Sequence, residues 1–259
     1  MRPAARASAT PSALARDAFV ARAFATEPAD LASPIDAARP VASVDALLTS
    51  CLRDAEGGPP DAGAVRRWTV ANRLDALIAI RQAGGATTEN VSLRCGEREC
   101  GERFEAEIEL AACRGSPTTA IEFEVAGEAL RARVPTGVDQ AHWQEERTPL
   151  HLVVASLLES TTPVDEALVA ALDGALAEVD PARELQLDLA CPACGATHRH
   201  VVELETQLLA TFAREQAAWL RQIARLARAF HWAEAEIARM PAWRRDFYLA
   251  RLGAEGSAP

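Results

Sequence analysis

The 259-residue chain has few aromatic residues and no long apolar run, and both shortages limit the structural classes to which it can belong. Phe, Trp and Tyr make up 5% of the residues while Ala, Leu, Arg and Glu dominate, which favours a mostly helical protein. No stretch approaches the roughly 20 apolar residues that a membrane-spanning helix needs. The N-terminus lacks the apolar segment of a secretory signal, although its Arg-rich, acid-poor composition also resembles a transit peptide. We therefore expect a cytoplasmic protein without membrane contact.

Positive charge is scarce relative to negative charge. The 27 Lys and Arg residues face 37 Asp and Glu residues, a formal net charge of −10. Nucleic acids and anionic lipids bind basic surfaces, so neither is an expected partner. A zinc-ribbon protein that binds nucleic acid is accordingly an alternative that the composition disfavours.

The usual catalytic signatures are missing as well. We find no Gly-rich phosphate loop, no nucleophile elbow and no HExxH sequence. His142, His151 and His231 lack a Ser, Cys or carboxylate at a spacing that would indicate a catalytic triad. The sequence therefore predicts a protein that is not an enzyme, with a thiol-redox or metal-dependent enzyme as the alternative.

The chain divides by its patterns into an α+β protein that is mainly helical. Apolar residues recur at helical spacing through most of the chain, and they alternate like strands around the cysteines. We predict a disordered N-terminal tail at residues 1–42 and a helical domain at residues 43–205. This domain contains two cysteine hairpins, at residues 90–111 and 185–205, and between them an inserted hairpin with helices at residues 118–180. A C-terminal helical segment at residues 206–252 and a tail at residues 253–259 complete the chain.

What the chain does have is two similar cysteine pairs, Cys95/Cys100 and Cys191/Cys194, each followed by Gly. Each pair lies between two alternating stretches, which predicts a hairpin with the cysteines at its turn. A Gly after the second Cys lets the backbone N–H groups face the sulfurs, as in a zinc knuckle. Together the pairs offer four thiolates, the ligand set of a closed structural zinc site. We predict a split zinc ribbon that holds one structural zinc ion per chain.

The CPAC sequence at Cys191 also permits a redox dithiol. That chemistry favours a helix that begins at the first cysteine, whereas the residues after Cys194 alternate like a strand. His198 and His200 share one face of this strand. We expect them to face solvent, with replacement of a cysteine ligand by one of them as the alternative. Cys51 lies on the apolar stripe of a helix and is expected in the core.

The C-terminal end concentrates aromatic side chains next to arginines. Protein interfaces favour this composition, which makes the segment a candidate partner-binding surface with five proposed contacts: Trp232, Trp243, Arg244, Arg245 and Tyr248. The alternative is a helical hairpin that packs these side chains into its own core.

Three stretches together resemble a known family. They are NRLDALIAIRQAGG before the first cysteine hairpin, LRARVPTGVD with Arg133, Pro135, Thr136 and Asp139, and LARAFHWAEAEIARMPAWRRDFYL at the end. They are similar to the baseplate hub assembly proteins of T-even-type contractile phages and to relatives in phage-tail-like extracellular injection systems. The Cys-x4-Cys spacing of the first pair departs from the usual two-residue gap.

The resemblance implies a non-catalytic assembly chaperone or baseplate component. Its expected partner is a baseplate hub or spike protein, contacted through protein surfaces. Whether such a protein stays in the finished particle is left open.

Overall fold

The computed structural model describes residues 18–113, 115–116 and 118–255. Nine α-helices are present in these residues: α1 Pro40–Cys51, α2 Ala62–Arg66, α3 Val70–Ala83, α4 Gly137–Glu146, α5 Leu150–Leu157, α6 Glu166–Val179, α7 Leu204–Phe230, α8 Glu234–Ala238 and α9 Ala242–Glu255. The eight strands of the same residues are β1 Val20–Ala21, β2 Leu52–Arg53, β3 Thr88–Arg94, β4 Arg103–Glu109, β5 Ala120–Val125, β6 Glu128–Arg133, β7 Leu185–Ala190 and β8 Thr197–Val202.

The strands form four separate antiparallel pairs, β1–β2, β3–β4, β5–β6 and β7–β8. Three of these pairs are hairpins of consecutive strands, and the helices lie between and around them. The predicted α+β class, mainly helical with a split pair of hairpins and a further inserted hairpin, is confirmed.

The main core is formed by α1, α3 and the first half of α7, with the inner faces of β3 and β4 against it. At its centre the guanidinium of Arg73 is fully buried and donates to Asp45 at 2.7 Å and to the carbonyl of Val65 at 3.0 Å. Asp45 also accepts from Arg66, so one carboxylate links α1, α2 and α3. A Cβ on Gly137 would lie 2.7 Å from the Arg73 guanidinium, so this position at the start of α4 requires glycine.

The N-terminal segment differs from the prediction. Residues 18–42 are packed against the body and are not a loose tail, while residues 1–17 lie outside the described residues. Phe24 and Ile35 are buried in the main core, and Arg22 pairs with the buried Asp30 at 2.6 Å. Short irregular segments of this kind have no periodic pattern of apolar residues, so the few side chains that they bury cannot be identified from the sequence.

The insertion forms a lobe with its own core, which we call the inserted lobe (residues 118–180). The β5–β6 hairpin packs on α6, with α5 and α4 beside it. The LRARVPTGVD stretch builds a clamp here, because Arg133 donates to both carboxylate oxygens of Asp139 at 2.5 and 2.7 Å. Asp139 also completes a capping box with Thr136 at the start of α4. Burial raises the pKa of Asp139, but these donors hold it below its usual value.

The C-terminal helices form a third unit, the C-terminal arm (residues 216–255). The second half of α7 packs against α8 and α9 through a small core centred on Trp219, Ile223, Leu226 and Ile237. Phe230, Trp232 and Tyr248 stack beside it, with ring centroids 4.6–5.4 Å apart. Among the described residues, no helix is long and apolar enough to cross a membrane.

Candidate metal centre

The two cysteine hairpins have matching turns. In the second, the N–H of Gly195 donates to the carbonyl of Cys191 at 2.9 Å, and Gly195 has φ +76°. In the first, the N–H of Gly101 donates to the carbonyl of Glu97 at 3.1 Å, and Gly101 has φ +59°. Both glycines occupy the left-handed region, which other residues adopt only with strain.

The comparison of the two turns explains the longer Cys-x4-Cys spacing of the first cysteine pair. The turn that ends at Cys100 begins at Glu97, so the two extra residues lie before the turn and not within it. Cys95 reaches the site from the end of β3, where its N–H donates to the carbonyl of Glu102 at 2.8 Å. Gly96 lies between Cys95 and the turn that begins at Glu97. A Cβ on Gly96 would lie 3.0 Å from the His198 ring. The longer spacing therefore still delivers both sulfurs.

The four sulfur atoms come together in space. The Sγ atoms of Cys95 and Cys194 are 3.7 Å apart, those of Cys100 and Cys191 are 3.8 Å apart, and all four lie within 4.8 Å of one another. A disulfide would place two sulfurs about 2.05 Å apart, so these are free thiols. A tetrahedron with metal–sulfur bonds of about 2.3 Å has edges of roughly 3.8 Å. The cluster therefore has the dimensions of a four-thiolate metal site.

The protonation of the cluster is uneven. The N–H of Cys194 lowers the pKa of Cys191 to about 7, against the effect of burial. The N–H of Glu97 lowers the pKa of Cys95, but burial and the three neighbouring thiols raise it to about 12. The N–H of Glu102 lowers the pKa of Cys100, as does the Cys95 thiol, but burial and the other two thiols raise it above its ordinary value. Four thiolates repel one another, and a bound cation removes that repulsion and deprotonates coordinating thiols.

The CPAC pair does not lie at a helix N-terminus. The strand β8 follows Cys194, and β8 pairs with β7 over its whole length. The helix dipole that a thioredoxin-like dithiol uses is thus not provided by the residues after this motif. Local geometry places the pair in a knuckle.

The histidine pair is not where we predicted. His198 and His200 share one face of β8, but both are half-buried and that face points to the opposite hairpin. The ring of His198 lies against Gly96, and its Nε2 is 3.6 Å from a carboxylate oxygen of Glu97. His200 packs edge-on against Phe104, with centroids 5.7 Å apart. Solvent exposure was the wrong prediction because alternation identifies a shared face but not what that face meets.

The other two cysteines lie apart from the cluster. Cys51 is buried in the main core, where burial raises the pKa of its thiol to about 12. Cys113 is also buried, and its thiol donates to the carbonyl of Glu109 at 3.4 Å. Cys51 therefore behaves as the small core residue that its helical stripe predicted.

The five proposed partner contacts are not equivalent. Trp243 is 72% exposed and Arg244 is exposed, whereas Trp232 and Tyr248 are half-buried in the aromatic stack. Arg245 is 5% exposed, with its guanidinium 5.1 Å from the Trp219 ring centroid and a 2.6 Å hydrogen bond to the carbonyl of Met240. Arg245 thus belongs to the core of the C-terminal arm and not to its surface. The amino-acid composition of this segment does not show which residues of α9 face the core and which face solvent.

One feature was not anticipated from the sequence. The inserted lobe has an open apolar groove of about 780 Å³ between α4, α5 and α6. The sequence feature that could have indicated it is the mostly apolar α5, in which the groove residue Leu150 remains 62% exposed.

The chain matches no protein-family model, no curated protein and no solved structure.

Proposed function

We propose that the protein is a non-catalytic assembly chaperone or baseplate component of a contractile phage tail or a phage-tail-like injection system. One structural zinc ion would join its two cysteine hairpins, and protein contacts would carry its function. The zinc part of this proposal is supported by the set of four sulfurs, because their distances of 3.7 and 3.8 Å match the edges of a tetrahedral four-sulfur zinc site.

Zinc is the proposed ion because the ligands are thiolates and there are four of them. Soft thiolate ligands in a tetrahedral arrangement select zinc or iron–sulfur chemistry, and a single ion fills a site of this size. Four protein sulfurs leave no open position on zinc, so such an ion neither activates water nor binds a substrate. The proposed role of the metal is therefore to hold the hairpins together.

The partner side of the proposal rests on the family resemblance and on the exposed aromatic residues of α9. Trp243 and Phe247 are 72% and 55% exposed, which is unusual for large apolar side chains four residues apart on one helix face. Arg244 lies beside them, over the ring of Tyr248. Trp and Arg are the residues that most often dominate binding energy in protein interfaces. The proposed partner is a baseplate hub or spike protein.

Metal analysis tests the first half of the proposal. Protein purified without added metal should contain about one zinc per chain by elemental analysis. A folded protein with less than a few tenths of an equivalent would contradict the zinc site.

Co-expression with hub and spike proteins of a contractile tail tests the second half. Trp243→Ala and Arg244→Ala should lower recovery of the partner while zinc content and melting temperature stay at wild-type values. Leu220→Ala is the matched control, because Leu220 is 44% exposed on α7 and lies outside α9. Normal recovery with both α9 variants would show that this surface does not bind the partner.

A further inference from the structure

The groove of the inserted lobe is apolar inside and acidic around its edge. Its walls include Trp143, Leu150, Val153 and Val169, of which Leu150 is 62% exposed. Asp165, Glu166 and Asp173 line it as well, beside a single arginine, Arg183. A groove with exposed apolar side chains and a polar rim is typical of a surface that binds another molecule.

Charge is strongly segregated along the chain. Residues 118–180 contain twelve Asp and Glu and three Arg, so this segment has a net charge of −9 out of the total of −10. Residues 204–255 contain eight Arg and six Asp and Glu, a net charge of +2. The inserted lobe and the C-terminal helices therefore carry opposite charge.

The outward face of α9 complements the groove in its exposed apolar side chains and in its charge. Trp243 and Phe247 are one helical turn apart on this face, and the exposed Arg244 and Arg251 lie along its side. The opposite face of α9, with Tyr248, Leu249 and Leu252, already packs on α7. The molecule thus presents a helix face with two exposed aromatic side chains, flanked by the two arginines on one side and by Asp246 on the other, and, in a separate core unit, an acidic apolar groove.

We propose that the groove of one copy receives the Trp243–Phe247 face of α9 from a second copy. An amphipathic helix that lays its apolar residues into a groove is a common binding mode, and opposite charges at the rim select the partner and its orientation. The two surfaces differ, so the contact is head-to-tail and repeats until a ring closes or a chain of copies grows. The inference is independent of the proposed function, and a hub protein that used the same face would compete with it.

Sedimentation velocity of the purified full-length protein over a range of concentrations tests this inference. The wild-type protein should form oligomers as its concentration rises. The double variant Trp243→Ala/Phe247→Ala removes the two aromatic side chains from the face of α9. The variant Leu150→Arg places a positive charge in the groove, where it would repel the arginines of α9. Each variant alone should remain monomeric at concentrations where the wild type associates. Mixed in equal amounts, they retain one intact face and one intact groove, and they should form dimers and nothing larger.

The controls use exposed apolar residues outside the two surfaces. Leu152→Arg changes α5 at a residue that does not line the groove, and Leu220→Ala changes α7, so both should associate like the wild type. Melting temperatures of all variants check that each is folded. A wild-type protein that stays monomeric throughout would overturn the proposal. Continued association of either variant alone, or a mixture that stays monomeric, would overturn it as well.

Discussion

The two cysteine hairpins contribute equally to the sulfur cluster but are held unequally by the rest of the protein. In β3–β4, Val91 and Ile108 are 1% and 5% exposed and belong to the main core. In β7–β8, only Val202 is fully buried, while Leu185 and Leu187 pack partly against that core. The first hairpin is therefore anchored by hydrophobic burial, and the second depends more on what joins its turn to the first.

Removal of the proposed zinc ion should give the largest effect and should affect the two hairpins to different extents. Chelation should lower the free energy of opening of residues 185–202 by about 5 kcal/mol or more, because metal binding is a large part of the stability of such small units. Residues 88–109 should lose less, since core burial remains. Hydrogen exchange with and without chelator measures both. Equal loss in the two hairpins would contradict the unequal anchoring.

Single cysteine changes extend this test. Cys95→Ser and Cys191→Ser should each lower metal content and melting temperature together, because both hairpins share one site. Cys113→Ala is the control for metal content, since its thiol donates to the backbone carbonyl of Glu109 and lies outside the cluster. Metal retained at wild-type level by either serine variant would show that the four sulfurs do not act as one site.

Core truncation should show the opposite asymmetry. Ile108→Ala should cost about 2–4 kcal/mol in the free energy of unfolding, because it leaves a cavity in the main core. Leu187→Ala should cost about 1 kcal/mol, because that side chain is only partly buried. Urea unfolding of the two variants measures the difference. Equal costs would mean that β7–β8 is as firmly packed as β3–β4.

Asp180, just before the second hairpin, should give a smaller and pH-dependent effect. Burial raises the pKa of Asp180 to about 6; Arg183 lowers it and Asp75 raises it. Because the folded-state pKa lies above the ordinary value of 3.8, the stability contributed by the protonated group is complete below pH 4 and is lost as pH rises through 6. Asp180→Asn should therefore stabilise the protein by about 1–3 kcal/mol at pH 7.5 and by almost nothing at pH 4. Thermal unfolding of both proteins at each pH checks this, and an equal gain at both pH values would contradict it.

The glycines of the two turns should give the smallest effect. Gly195→Ala should cost about 1 kcal/mol, because it forces a Cβ into a left-handed conformation in open space. Gly101→Ala should cost at least as much, since its Cβ would also lie 3.2 Å from the Arg94 guanidinium. Melting temperatures of the metal-bound variants compare the two. A stabilised Gly195→Ala would show that the turn does not need its left-handed residue.

The sequence predicted the features that depend on local periodicity. Alternating residues identified the hairpins, and the Gly that follows each cysteine pair identified the turns, so the four-sulfur cluster followed from residue type and spacing. Features that depend on which surface meets which were not predictable in this way. The inward-facing His198, the buried Arg245 and the packing of residues 18–42 are all set by distant neighbours. The groove has the same origin, because an apolar helix face does not reveal how much of it remains uncovered.

The inserted lobe leaves and rejoins the rest of the chain at nearly the same point. The N–H of Ser116 donates to the carbonyl of Val179 at 2.7 Å, so the two connections lie side by side. Termini that are close together allow a domain to be inserted without displacing the host. A short peptide could span this gap in place of the whole lobe, although α4 packs on the start of α3 and its loss would expose the buried Arg73. The lobe is therefore joined to the rest of the chain in the way that a domain is joined when it is inserted into a loop of its host.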